Sequence, residues 1–310
     1  MSKTAFLFPG QGSQAVGMLS EFTEEPVFSH TFNEASGALG YDLWDIVANG
    51  PAEQLNNTAI TQPALLTAGV ALWRYWEQRG GFRPHYLAGH SLGEYTALTC
   101  AGVFSLGDAV RLVAKRGELM QTAVPEGQGA MAAILGLEDD QVRTACANAQ
   151  EDGVVEAVNL NAPGQVVIAG DVAAVDRAIA ACKAAGARRA LPLPVSVPSH
   201  CALMRPAAEE LANVIAKVNM FAPEVPVINN VDVSITTDVD AIRDALIRQL
   251  YSPVRWVETV QKLHAEGVTH AYECGPGKVL AGLLKRIEKS IVVLPMEDKT
   301  AVNEATPLPV

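Results

Sequence analysis

The chain has 310 residues, 49% hydrophobic and 18% charged, enough for one large folded domain or two smaller ones with a substantial core. A net charge of −11 argues against general nucleic-acid binding and means that an acidic partner would need a local basic patch. No run of about 18 apolar residues suggests a membrane span, and the start shows no signal-peptide pattern. Five scattered cysteines without a C-x-x-C pair point to reduced thiols in the cytoplasm and away from a zinc site.

In chain order, residues 4–8 predict a buried strand stopped by Pro9-Gly10. Residues 64–78 carry Leu65, Leu66, Val70, Leu72, Trp73 and Trp76 at helical spacing, closed by Arg79-Gly80. A short strand at 84–88, a glycine-flanked serine turn and a helix from Glu94 follow, then a helix over 107–124. Strands alternating with helices predict a parallel α/β sheet.

The pattern then changes. Residues 130–135 read as a strand, 138–149 as a helix, 154–159 and 165–169 as strands joined by 160–164, 172–185 as a helix and 187–193 as a strand. The order β-α-β-β-α-β is that of a ferredoxin-like unit. It is bracketed by Pro125-Glu126-Gly127 and by Pro192, Pro194 and Pro198. The expected organisation is a small subdomain of residues 127–198 inserted into a large domain of residues 1–126 and 199–310. Beyond it come helices over 203–218, 241–250, 254–266 and 279–287, an extended segment at 225–229 and a strand at 268–273. The tail from Glu297, with Pro307 and Pro309, is polar and is expected to fray.

Gly89-His90-Ser91-Leu92-Gly93 is a G-x-S-x-G turn between strand and helix. Such a bend lifts the serine oxygen off the sheet and aims the next N–H, that of Leu92, at a developing oxyanion. A serine needs a base. Of the six histidines, His200 in Val197-Pro198-Ser199-His200-Cys201 is the best candidate. His90 adjoins the serine on a sharp turn and points elsewhere, His264 and His270 flank a surface turn, and His85 opens a strand. Gly10-Gln11-Gly12-Ser13-Gln14 lacks the lysine of a phosphate loop and the spacing of a dinucleotide fold, but could offer a second oxyanion donor. Arg111 and Lys115 read as a solvated face, with Arg116 one step round the helix.

Together, Phe8-Pro9-Gly10-Gln11-Gly12-Ser13-Gln14, Thr61-Gln62-Pro63-Ala64-Leu65, Gly89-His90-Ser91-Leu92-Gly93-Glu94, Pro198-Ser199-His200, Asn229-Asn230-Val231 and Gly275-Pro276-Gly277 resemble the malonyl-CoA:acyl carrier protein transacylases of bacterial fatty acid synthesis. The resemblance runs from Ala5 to about Ile287. It implies an α/β-hydrolase-like parallel-sheet core with a ferredoxin-like insert. It implies Ser91 as nucleophile, His200 as base held by a backbone carbonyl at Gln249, and the Gln11 and Leu92 N–H groups as oxyanion hole. Arg116 would bind the malonyl carboxylate, and Asn159 and Asn161 would face the cleft. The substrate would be malonyl-CoA, with acyl carrier protein as partner and no resident cofactor or metal; nucleic acid and membrane are not expected partners, and a monomer is expected. Lys183, Arg188 and Arg189 on the insert and Lys285 and Arg286 on the last main-domain helix are candidates for docking the carrier. Three readings compete: a serine esterase or thioesterase, which would need no Arg116 and commonly has an acidic third member; a non-catalytic module that only docks carrier protein; and a discrete acyltransferase of a polyketide synthase.

Overall fold

The computed structural model describes residues 2–195 and 197–305. In chain order the strands are β1 (Lys3–Phe8), β2 (Tyr86–Gly89), β3 (Gly129–Leu135), β4 (Val155–Ala162), β5 (Gln165–Asp171), β6 (Arg189–Pro192), β7 (Val227–Ile228), β8 (Val268–Glu273) and β9 (Val292–Pro295). They form two sheets. The first has the order β7-β2-β1-β8-β9 and every pair is parallel. Side chains alternate across β1, as the two-residue period requires. Phe6 and Phe8 enter the core beneath the helices Pro26–Leu39, Thr58–Gln78 and Leu106–Thr122, while Ala5 and Leu7 join Trp256, Val260 and Leu284 on the opposite face. A parallel sheet covered on both faces explains why its strands read as unbroken apolar runs.

The second sheet has the order β4-β5-β3-β6 with every pair antiparallel. Its helices, Asp139–Ala149 and Val172–Ala184, bury one face through Val142, Cys146, Val175 and Ile179. On the other face Met131, Val158 and Val167 cluster with Cys201. This is the ferredoxin-like arrangement that the element order predicts. Backbone bonds join the two units: Leu160 N–H donates to the Val254 carbonyl at 3.0 Å, and Val254 N–H donates to that of Val158 at 2.9 Å. These bonds hold Asn159 beside the carboxyl ends of the parallel strands.

Several elements differ from the sequence expectation. The long helix starts at Thr58, six residues early, with Pro63 inside it. Asn57 caps it by accepting from Ala59 N–H at 3.0 Å, and the unbroken burial of residues 61–73 outweighs the one helical hydrogen bond that Pro63 cannot make. β4 and β5 run to within two residues of each other, because Leu160 and Ala162 pair with Val166 and Gln165 rather than forming a loop. Helices Pro26–Leu39, Leu43–Asn49 and Ala52–Leu55 and strand β9 lie where no element was expected. The tail from Glu297 does not simply fray: helix Lys299–Glu304 packs Val302 into the main core, with Asp298 as its cap. Pro307 and Pro309 lie outside the described residues. Among the described residues no helix is long and apolar enough to cross a membrane.

Candidate active site

β2 ends at Gly89 and the helix Leu92–Cys100 begins three residues later. Ser91 bridges them at φ 52° and ψ −109°, a conformation that costs a non-glycine residue about 1–3 kcal/mol unless its surroundings enforce it. Asn230 enforces it. Its Oδ1 accepts from Ser91 N–H at 2.8 Å and its amide donates to the Gly89 carbonyl at 2.7 Å, so one side chain clamps both ends of the bend. A Cβ on Gly93 would stand 2.0 Å from the Phe8 carbonyl oxygen. Only glycine there lets the new helix start against the end of β1, which brings the Gln11 loop alongside Ser91.

His200 follows the small sheet, also at positive φ (67°). Its backbone N–H donates to the Leu250 carbonyl at 3.0 Å and its ring Nδ1 lies 2.7 Å from the Gln249 carbonyl. A carbonyl can only accept, so the ring proton sits on Nδ1 and Nε2 is a bare lone pair. That lone pair lies 2.8 Å from Ser91 Oγ. Gln249 closes the helix Val239–Gln249, whose last carbonyls lack intrahelical donors and carry the negative end of its dipole. Burial, reinforced by the Arg116 charge, pushes the His200 pKa down to about 3, so the resting ring is neutral and able to take a proton. No carboxylate touches the ring among the described residues.

Arg116 lies on the helix Leu106–Thr122 and is 1% exposed. Its neighbour Gly117 makes that depth possible, since a Cβ there would stand 2.6 Å from the Thr58 carbonyl oxygen. The guanidinium donates to Gln62 Oε1 at 2.8 Å and to Gln249 Oε1 at 2.9 Å, and reaches 3.4 Å from Ser91 Oγ. Its carbon sits 5.2 Å from the Tyr95 ring centroid. Burial lowers its pKa, partly offset by Tyr95 and Glu94. Among the described residues it forms no ion pair and its Nε has no partner. A buried cation without a touching anion is costly, and it suits a site that receives an anion.

Ser91, His200 and Arg116 open into a cavity of about 700 Å³, which Gln11, Leu92, Asn159 and Asn161 also line. Gln11 is fixed by its side chain, which donates to Thr58 Oγ1 at 3.2 Å. Asn161 is not free in the cleft: its Oδ1 accepts from His90 Nε2 at 2.8 Å, which ties the small sheet to the serine turn. His90 therefore points away from Ser91, as its place on the bend predicts. Lys183, Arg188, Arg189, Lys285 and Arg286 are all exposed and none lines the cavity. Arg286 is engaged within the chain, donating to the Pro163 carbonyl at 3.0 Å and to Gln165 Oε1.

Three site residues escaped the sequence reading as functional groups: Gln62, Glu94 and Asn230. Gln62 is a polar side chain directly before the apolar run Pro63-Ala64-Leu65-Leu66, which was its available signal. Glu94 is 2% exposed at the start of a buried helix, an equally anomalous place for an acid. Asn230 carries no such signal, because its role comes from tertiary contacts alone.

The sequence matches the acyl transferase domain family over residues 5–305. The chain belongs to this family. As an acyl transferase domain it is 60% identical over 309 residues to the malonyl CoA-acyl carrier protein transacylase of Escherichia coli strain K12, covering 99% of this chain and 100% of that protein. A crystal structure of an acyl carrier protein S-malonyltransferase from Vibrio cholerae superposes with a TM-score of 0.97 at 59% identity, covering 98% of this chain and 100% of that one. A malonyl-transacylase solved in complex with a type II PKS acyl-carrier protein gives a TM-score of 0.97 at 55% identity, covering 98% and 99%. The acyl transferase fold is thus the α/β arrangement described above, a parallel core sheet beside a separate antiparallel one.

Proposed function

We propose that the chain transfers the malonyl group of malonyl-CoA to the phosphopantetheine thiol of acyl carrier protein through a malonyl ester of Ser91, supplying units for fatty acid synthesis. One observation carries this reading: a serine bonded to a neutral histidine shares its cavity with a buried guanidinium that, among the described residues, touches no carboxylate. An esterase for neutral acyl groups would have no use for that cation.

In the first half-reaction Ser91 Oγ attacks the thioester carbonyl while its proton passes to His200 Nε2. The oxyanion develops against the N–H groups of Gln11 and Leu92, and the imidazolium is stabilised by the Gln249 carbonyl. The C–S bond breaks and coenzyme A leaves with the proton from His200. In the second half-reaction the carrier thiol gives its proton to His200 as its sulfur attacks the ester. Ser91 then takes that proton back as it leaves. Throughout, Arg116 grips the malonyl carboxylate, with Asn159 and Asn161 on the facing wall. Intact-mass spectrometry after mixing with malonyl-, methylmalonyl- or acetyl-CoA, with and without carrier protein, tests the scheme. A malonyl adduct on Ser91 that the carrier discharges is expected; rapid free malonate without carrier would support a hydrolase instead.

Replacing Arg116 by alanine removes both parallel hydrogen bonds to the carboxylate, and lysine cannot restore them. The loss is about 3–5 kcal/mol of malonyl recognition, by analogy with broken buried ion pairs. Malonyl loading should collapse while acetyl loading changes little, so the malonyl-to-acetyl ratio of kcat/KM narrows. An unchanged ratio would remove Arg116 from the site.

The partner protein is acidic in this reading, and we assign its docking to Lys183, Arg188, Arg189 and Lys285, with Arg286 partly spent on Pro163 and Gln165. Reversing Arg188 and Arg189 to glutamate should slow transfer to the carrier and weaken its salt dependence more than it slows loading from malonyl-CoA. Equal losses in both half-reactions, or none, would move the docking site elsewhere. A polyketide carrier is the second reading, favoured by the relative solved with a type II PKS carrier protein. Comparing transfer rates to the two carriers separates them. The enzyme would work as a cytoplasmic monomer without a resident cofactor; its five free thiols are compatible with that compartment. Residues 127–198 would act as one inserted unit, walling one side of the cleft.

A further inference from the structure

Behind the serine turn lies a carboxylate that the transfer scheme leaves unused. Glu94 is 2% exposed, does not line the cavity and does not touch His200. Its Oε2 accepts from the Gln249 side-chain amide at 2.7 Å and from the Asn230 backbone N–H at 3.0 Å. The same Gln249 amide donates to the Ser91 carbonyl at 3.1 Å, while its Oε1 accepts from Arg116 at 2.9 Å.

A glutamine amide can be seated two ways round, and here only one is tolerable. As seated, the NH₂ group faces three acceptors, Glu94, the Ser91 carbonyl and, at 3.5 Å, Asn230 Oδ1, and the oxygen faces a guanidinium. Turned over, NH₂ would face the Arg116 donors, and Oε1 would face a carboxylate and a carbonyl. Glu94, Gln249 and Arg116 are buried, so each mismatched pairing among them would leave polar atoms unsatisfied. Without Glu94 the NH₂ keeps only the longer contacts to the Ser91 carbonyl at 3.1 Å and Asn230 Oδ1 at 3.5 Å. The shorter contact is to Glu94.

We propose that Glu94 is a positioning residue for acyl-carboxylate recognition: it fixes the orientation of the Gln249 amide and, through Gln249 Oε1, the placement of the Arg116 guanidinium. Glu94 itself touches no substrate. What it supplies is an acceptor oxygen at one point, and that requirement separates it from a generic charge or packing role. The inference rests on the reading of Arg116 as the malonyl anchor, so the experiment measures both.

Malonyl and acetyl loading from the corresponding CoA thioesters are followed in E94A, E94Q, R116A and the E94A/R116A double variant, each checked for fold by circular dichroism and thermal melting. E94A should lower malonyl kcat/KM by about tenfold or more, chiefly through KM, and acetyl kcat/KM by less than about threefold. E94Q keeps an acceptor oxygen and should stay within about threefold of the parent in malonyl preference. The double variant should show the same malonyl-to-acetyl ratio as R116A alone, because the two residues act in series. Equal loss for both substrates in folded E94A, or unchanged preference, overturns the assignment, as does a folded E94Q that has lost its preference. If E94A does not fold, Glu94→Met replaces it; if that also fails, E94Q decides. R116A with an intact malonyl preference would sink the reading of Arg116 itself. R116A without preference beside E94A with it would sink only the role of Glu94.

Discussion

Ser91→Ala should leave no malonyl adduct in an intact-mass spectrum and should lower transfer by roughly 10⁴–10⁶, the scale of removing a nucleophile that works with its base. Ser91 Oγ is the hydroxyl within 2.8 Å of His200 Nε2, and it stands at the meeting of the Gln11 loop, the helix start and the Arg116 guanidinium. The fold should survive. The strained backbone at φ 52° is held by Asn230 contacts to the Ser91 N–H and the Gly89 carbonyl, which alanine keeps. Unchanged melting with lost labelling is therefore the expected pair of results. A malonyl group recovered on another residue would dismiss Ser91 as the nucleophile.

His200→Ala should slow both half-reactions by about 10²–10⁴, the usual scale of a lost general base. Both must suffer, since the same Nε2 takes the serine proton in one and the carrier thiol proton in the other. The pH profile adds a second check. Burial holds the His200 pKa down at about 3, so His200 should give the loading rate no inflection in the ordinary histidine range and should lower it only under more acid conditions. The sign for stability follows from the same shift. The unfolded ring binds a proton below its ordinary pKa while the folded ring stays neutral. The stability that goes with neutral His200 is thus complete above about 6.5 and is lost progressively as pH falls towards the folded value. Burial raises the pKa of the neighbouring Glu94 to about 7, so only an inflection near pH 6.5 that persists in E94Q would mean that the His200 ring is better solvated than its 3% exposure indicates.

The serine turn, the parallel core and the antiparallel insert were legible because each rests on local pattern. Gly89 and Gly93 flank a bend, the strands are short apolar runs, and the insert keeps a fixed element order. Pro26 and Gly40 bound a helix in the structure whose buried Phe28, Thr31, Phe32 and Ala35 keep helical spacing, so that helix was open to the same reasoning and was missed. Pro63 misled in the opposite direction, because a proline suggests a helix start and the buried helix simply continues through it. The bond between His200 and the Gln249 carbonyl has no local signature. Any residue type offers a carbonyl, so no spacing or composition could single out Gln249, and only the family resemblance pointed to it. Asn230 and Glu94 were obscured for a related reason: what they do is settled by contacts across more than a hundred residues of chain.

The central strand of the parallel sheet is the first in the chain, and Phe6 in β1 pairs in register with Tyr272 in β8. During synthesis, then, β1 emerges long before one of its two neighbours exists. The insert, by contrast, draws its sheet and helices from one continuous stretch and can close its own core early. Biogenesis should accordingly proceed insert first and catalytic sheet last, with the long-range pairing setting the pace. Until β8 arrives, β1 presents an unpaired apolar edge of Ala5, Phe6, Leu7 and Phe8. A ribosome-bound chain lacking its last fifty residues should therefore be captured by chaperones even though every group of the acyl-transfer site has already been made.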